Sequence, residues 1–183
     1  MSAMNLSNLT YNTLSKMFVA GKRFDGRKLL EQRDFTVEYD VSYKAEGSAR
    51  VKLGKTEVVV GVKMEVGTPY PDSMNKGNLM VSGDLLPLAS PRFESGPPKF
   101  NAIELPRLID RMVRESHMID LSKLVITEGE KVWVVIIDIY PINDDGALID
   151  AASIATIAAL QQVRIPELNK DLKIDHDKKG TKK

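Results

Sequence analysis

The chain has 183 residues, enough for one domain with a substantial core plus a tail, and short for two domains of average size. Its 26 basic and 25 acidic residues leave a formal charge of +1, so any contact with nucleic acid must come from a local cluster of cations rather than a global field. There is no cysteine, which excludes disulfide scaffolds and thiolate metal sites, and the lack of a signal peptide or long apolar run predicts a cytoplasmic protein with no membrane partner.

Leu6, Leu9, Leu14, Met17 and Phe18 recur at helical spacing and predict a short amphipathic helix over 6–20, ending before Gly21 and packing one face on a body or neighbour. Valine-rich extended runs follow over 36–42, 49–54 and 56–66. Val58, Val60 and Val62 alternate with Val59 and Lys63, as in a strand with one deeply buried face. A turn at Tyr70-Pro71-Asp72-Ser73 leads to another predicted strand over 77–88. Pro91, Gly96, Pro97 and Pro98 then rule out a central strand or helix and predict a long loop over 88–101.

Ile103, Leu105, Leu108, Ile109, Met112 and Val113 mark the apolar side of a helix over 102–118, with Asn101 and Glu104 as its capping pair. Pro106 disagrees, because it costs an intrahelical hydrogen bond unless the helix starts later. The run from Val132 to Ile137 predicts a strand over 131–142 buried on both faces, and Asn143-Asp144-Asp145-Gly146 is a turn signal after it. A buried helix rich in alanine and isoleucine is predicted over 148–163, and after Pro166 lysine and aspartate predict a solvated tail or linker. The order gives an α+β fold, a mixed β-sheet with helices packed on one face. Its parts are an N-terminal helical segment over 1–21, a domain over 22–165 and a polar tail over 166–183.

Arg107, Arg111 and Arg114, at i, i+4 and i+7, share one helical face and form the best local basic cluster. Asp110 is spaced to pair with Arg107 or Arg114, and Glu115 with Arg111, so spacing alone favours an ordinary salt-bridged surface helix. Asp144 and Asp145 read as a helix N-terminal signal rather than a metal site. His117 and His176 have no third partner for zinc or a catalytic triad, and the glycines at 47, 54 and 61 fit strand ends and bends better than a nucleotide-binding loop. Asp25-Gly26 is a turn with a structural role.

Arg23-Phe24-Asp25-Gly26-Arg27, continued by Glu31-Gln32-Arg33, together with the segment from Gly47-Ser48-Ala49 to Val62 and Gly77-Asn78-Leu79, resembles the first domain of RNase PH-type proteins over about 22–163. Phosphorolytic members of that family carry two adjacent arginines in the loop before the first long helix and a Gly-Ser/Thr-Arg phosphate signature in the turn into the next. Here these places read Lys99-Phe100 and Gly146-Ala147-Leu148, supplying neither the hydroxyl nor the guanidinium that would meet inorganic phosphate at a helix N-terminus. The chain therefore resembles most the non-catalytic RNase PH-type subunits of the archaeal exosome ring.

That resemblance implies no catalytic residue, metal or cofactor in this chain, with inorganic phosphate used at a partner's active site. It implies that Arg107 and Arg111 point toward that site and hold RNA phosphates, with Arg114 and Lys99 as further candidates. The partners it implies are a catalytic RNase PH-type exosome subunit, single-stranded RNA and the RNA-binding cap subunits. Members continue into a second domain of similar topology, which this chain lacks, and the face meant for it should be unusually apolar. Two other readings stay open: an active phosphorolytic ribonuclease with a differently built phosphate site, and a ring-assembly protein that does not touch RNA.

Overall fold

The computed structural model describes residues 7–169, 172–174 and 181–182. The chain divides into two compact units, Met1–Asp34 and Phe35–Lys183.

The first unit opens with helix α1, Asn8–Val19, capped by Ser7, whose hydroxyl accepts from the Thr10 amide at 3.2 Å. Leu6, counted in the predicted span, lies outside the described residues. Leu14 and Met17 are half-buried, whereas Leu9, Phe18 and Val19 are exposed. The Asp25-Gly26 turn forms with Gly26 at φ +87°, and its arginines brace their own loop. Arg27 bonds Asp25 at 2.7 Å and the Glu31 carbonyl at 2.9 Å, and Arg23 bonds the Leu29 carbonyl at 2.5 Å. Hydrogen bonding from Arg27 holds the Asp25 carboxyl below its ordinary value.

The second unit contains, in chain order, β1 (Phe35–Tyr39), β2 (Gly47–Leu53), β3 (Thr56–Gly67), β4 (Asn78–Gly83), α2 (Phe100–Glu115), a 3-10 turn (Leu121–Leu124), β5 (Val125–Thr127), β6 (Lys131–Asn143) and α3 (Leu148–Gln162). The sheet order is β1-β2-β3-β6-β4, with β5 also on β6. Every pair is antiparallel except β4 with β6, so the sheet is mixed. The parallel pair follows from the crossover through α2, since neighbouring parallel strands need a long connection.

Register sets the core. Val51 pairs with Val58, Val60 with Ile139, and Val62 with Ile137, which places all of them on one face. All are essentially inaccessible, and against them pack Leu105, Ile109 and Val113 of α2 and the alanines of α3. Burial of each such valine or isoleucine contributes roughly 1.5–3 kcal/mol. The alanines let α3 lie close on the sheet. A Cβ at Gly47 of β2 would stand 2.4 Å from the Ala159 carbonyl oxygen, so this glycine of the family motif is a packing requirement. Gly77 is fixed similarly, by Leu124 Cβ at 2.5 Å.

The opposite face alternates charge with apolar groups: Glu57, Lys63, Glu65 and Asp138 stand beside Val59, Ile136, Met80 and Tyr140.

Several boundaries differ from the sequence reading, each for a local reason. β4 stops at Gly83 because the chain turns at Leu86–Ala89. α2 begins at Phe100 with Lys99 as its N-cap, which makes no side-chain cap bond, so Asn101 and Glu104 are not a capping pair. Pro106 sits inside the helix, in its second turn, and is accommodated there beside Gly83 of β4. β6 is buried on both faces only over Val132–Val135, after which burial alternates. Past Pro166, Leu168 and Ile174 pair in an isolated bridge and pack on the core, and Arg164–Ile165 (β7) pairs with Thr181–Lys182 (β8). Burial of the apolar pair Leu168 and Ile174 seats that part of the tail.

Candidate nucleic-acid interface

Helix α2 turns Leu105, Ile109 and Val113 to the sheet, with Met112 partly buried beside them, and its charged side outward. Arg107, Arg111 and Arg114 consequently stand on the outer side, but their surroundings differ. Asp110 takes Arg114 rather than Arg107, at 2.7 Å, and the same guanidinium donates to the Leu79 carbonyl of β4 at 3.3 Å. The hydrogen bonds it donates to Asp110 hold Arg114 above its ordinary value. Arg114 is thus a clamp between helix and sheet edge.

Arg107 is exposed and makes no ion pair among the described residues. Arg111 reaches Glu115 at 3.4 Å, but both side chains are about 70% exposed, the regime in which such a pair contributes little and exchanges readily for another anion. Two guanidiniums one helical turn apart, roughly 6 Å along the axis, are left available. Lys99, at the entry to the helix, is engaged by Glu94, and hydrogen bonding from Lys99 holds the Glu94 carboxyl below its ordinary value. Phe100, Ile103 and Leu108 add exposed apolar surface to the same helix.

The turn before α3 has the opposite character. Asp144 Oδ1 accepts from the Gly146 amide at 3.0 Å, while Oδ2 takes Arg92 of the 84–99 loop at 2.9 Å. Thr56 Oγ1 donates to the Gly146 carbonyl at 2.7 Å and accepts from the Asp145 amide at 2.9 Å. Ala147, the N-cap, adopts φ +56° and offers no side-chain bond. Asp144 therefore does not cap the helix, as its position suggested. It ties a long loop to the turn and places a carboxylate on the Gly146 amide.

Asp144→Ala is expected to lower stability by about 1 kcal/mol, since it removes the bond to the Gly146 amide and unties the 84–99 loop held through Arg92. Urea denaturation checks this, and an unchanged midpoint would mean that the clamp is immaterial. No sequence signal marked Arg92 and Asp144 as partners, because they lie 52 positions apart.

His117 follows α2 at φ +54° and is exposed, whereas His176 lies outside the described residues. Among the described residues no three histidine or acidic side chains are grouped to hold a metal, and no helix is long and apolar enough to cross a membrane.

Comparison with known proteins gives this geometry a context. The 3′ exoribonuclease family, domain 1 (RNase PH), matches residues 31–166. The chain is 54% identical over 155 residues to the Exosome complex component Rrp42 of Archaeoglobus fulgidus, covering 85% of this chain and 60% of that protein. It is 48% identical over 161 residues to the component of the same name in Methanothermobacter thermautotrophicus, covering 88% and 59%. Among solved structures it superposes with TM-score 0.82 and 52% identity on a chain of the Archaeoglobus fulgidus exosome with RNA bound to the active site, covering 85% of this chain and 61% of that one. An archaeal exosome core gives TM-score 0.78 at 45% identity, covering 90% and 62%. The chain thus spans about three-fifths of the length of the curated relatives it matches.

Proposed function

The chain belongs to the 3′ exoribonuclease (RNase PH) family, and from that premise we propose that it is a non-catalytic, RNA-positioning subunit of a phosphorolytic 3′ to 5′ exoribonuclease complex. In this reading it pairs with a catalytic RNase PH-type subunit of an exosome and completes that partner's RNA path. Arg107 and Arg111 hold RNA phosphates, and RNA-binding cap subunits complete the assembly. Inorganic phosphate, the attacking group, is used at the partner's site.

The observation that carries the reading is the outward pair Arg107 and Arg111 on α2. Each guanidinium can give two parallel hydrogen bonds to a phosphate without touching a base, so the pair orients RNA regardless of sequence. Arg114 supports them from behind by fixing α2 to β4. Lys99 can join only by leaving Glu94, an exposed exchange of small cost. The turn at Gly146 supports the absence of catalysis, because the Asp144 carboxylate opposes inorganic phosphate where active members bind it.

The chain alone, given single-stranded RNA and inorganic phosphate, is expected to release no nucleoside diphosphate above the buffer rate. Release that depends on phosphate and disappears with this chain would overturn the non-catalytic assignment.

A further inference from the structure

A cleft of about 650 Å³ opens where the C-terminal end of α2, the start of β4 and the 3-10 turn meet. Three of its residues carry basic groups: Lys76, Arg114 and His117. Lys76 and His117 are exposed, and their side chains have no hydrogen-bonded or ionic partner among the described residues. Arg114 is held in place through Nε and Nη2 by Asp110 and the Leu79 carbonyl, which leaves its Nη1 edge unengaged among the described residues. The acid in the lining, Asp120, is occupied by the Ser122 amide and hydroxyl and by Lys123.

The rest of the lining suits a body attached to an anion. Tyr70, half exposed, lines the cleft together with the apolar Leu79 and Val113. Asn78 in the wall is 8% exposed, and its Nδ2 donates to the Thr68 carbonyl at 3.0 Å, which fixes that side of the cleft.

We propose that this cleft binds a nucleoside phosphate, its phosphate on Lys76, His117 and the free edge of Arg114, and its base against Tyr70. A preorganised guanidinium with a lysine and an imidazole beside it can receive a phosphate, and the volume lies in the range of small-ligand sites. Neither Arg107 nor Arg111 lines the cleft, although Arg111 precedes Arg114 by only three residues, about 4.5 Å along the helix. Its test contains neither RNA nor a partner subunit, so it succeeds or fails independently of the RNA-positioning reading.

The full chain is titrated separately with ADP, inorganic phosphate and adenosine, followed by calorimetry and by amide shifts in NMR spectra. ADP is expected to saturate, to bind more tightly than either other probe, and to shift the amides of Gly77, Asn78 and His117. Lys76→Ala combined with His117→Asn is expected to weaken ADP by at least about tenfold. Asparagine is chosen because it tolerates the positive φ of position 117, and the NMR spectrum itself verifies the fold. Lys52→Ala, on β2 away from the cleft, should leave binding unchanged. Failure to saturate, shifts confined to other regions, phosphate binding as tight as ADP, or an unaffected double variant would each overturn the proposal.

Discussion

Gly47→Ala is expected to destabilise the domain by about 3 kcal/mol or more, lowering the melting temperature by roughly 6–12 °C for a chain of this size. The cause is a single close approach. The added Cβ would lie 2.4 Å from the Ala159 carbonyl oxygen and 2.9 Å from the Val163 amide nitrogen, both backbone atoms near the end of α3. A flexible side chain would swing aside, but a helix backbone packed on three buried strands moves only as a body, and the alanine packing that seats α3 opens with it. Gly61→Ala is the control, since its Cβ would meet only Ala45 Cβ, at an ordinary 3.8 Å. Thermal melting of the two variants decides the matter, and equal midpoints would mean that α3 does not cross β2 at Gly47.

Arg107→Ala with Arg111→Ala is expected to weaken RNA binding by the assembled complex by about a hundredfold at low salt, roughly tenfold for each guanidinium removed from a phosphate. Two fewer phosphates neutralised should also flatten the dependence of log affinity on log salt by about 1.4. The second readout matters more, because a misfolded variant would lose affinity without that defined change of slope. Neither side chain is buried, so both variants should keep the fold. Binding and slope that stay unchanged would leave the arginines as surface charge and favour a pure assembly role.

What could be read from the sequence depended on how local each cause was. β3 was legible from Val58, Val60 and Val62 because a strand buried on one face must alternate, and α2 from its apolar stripe because a helix on a sheet must repeat near 3.6. The entry of α2 was not legible, since Lys99 begins it without a side-chain cap and Pro106 is tolerated beside Gly83. Nor did spacing decide which arginine Asp110 would take. That choice depends on the Leu79 carbonyl of β4, a tertiary neighbour 35 residues away, and it alone separates a clamp at Arg114 from an available group at Arg107. The Arg92–Asp144 tie and the docking of Leu168 and Ile174 are long-range in the same sense. Motif glycines lay between these cases. Gly47 and Gly77 were recognisable as family marks, but only the approach of Ala159 and Leu124 explains why no other residue fits.

In our reading this chain assists a catalysis that it does not perform. The most direct measurement is the rate at which a catalytic RNase PH-type partner releases nucleoside diphosphates from short single-stranded RNA in phosphate, with and without this chain. A clear gain over the partner alone is expected, diminished when Arg107 and Arg111 are alanine. An unchanged rate in a mixture shown to have assembled would contradict the assignment.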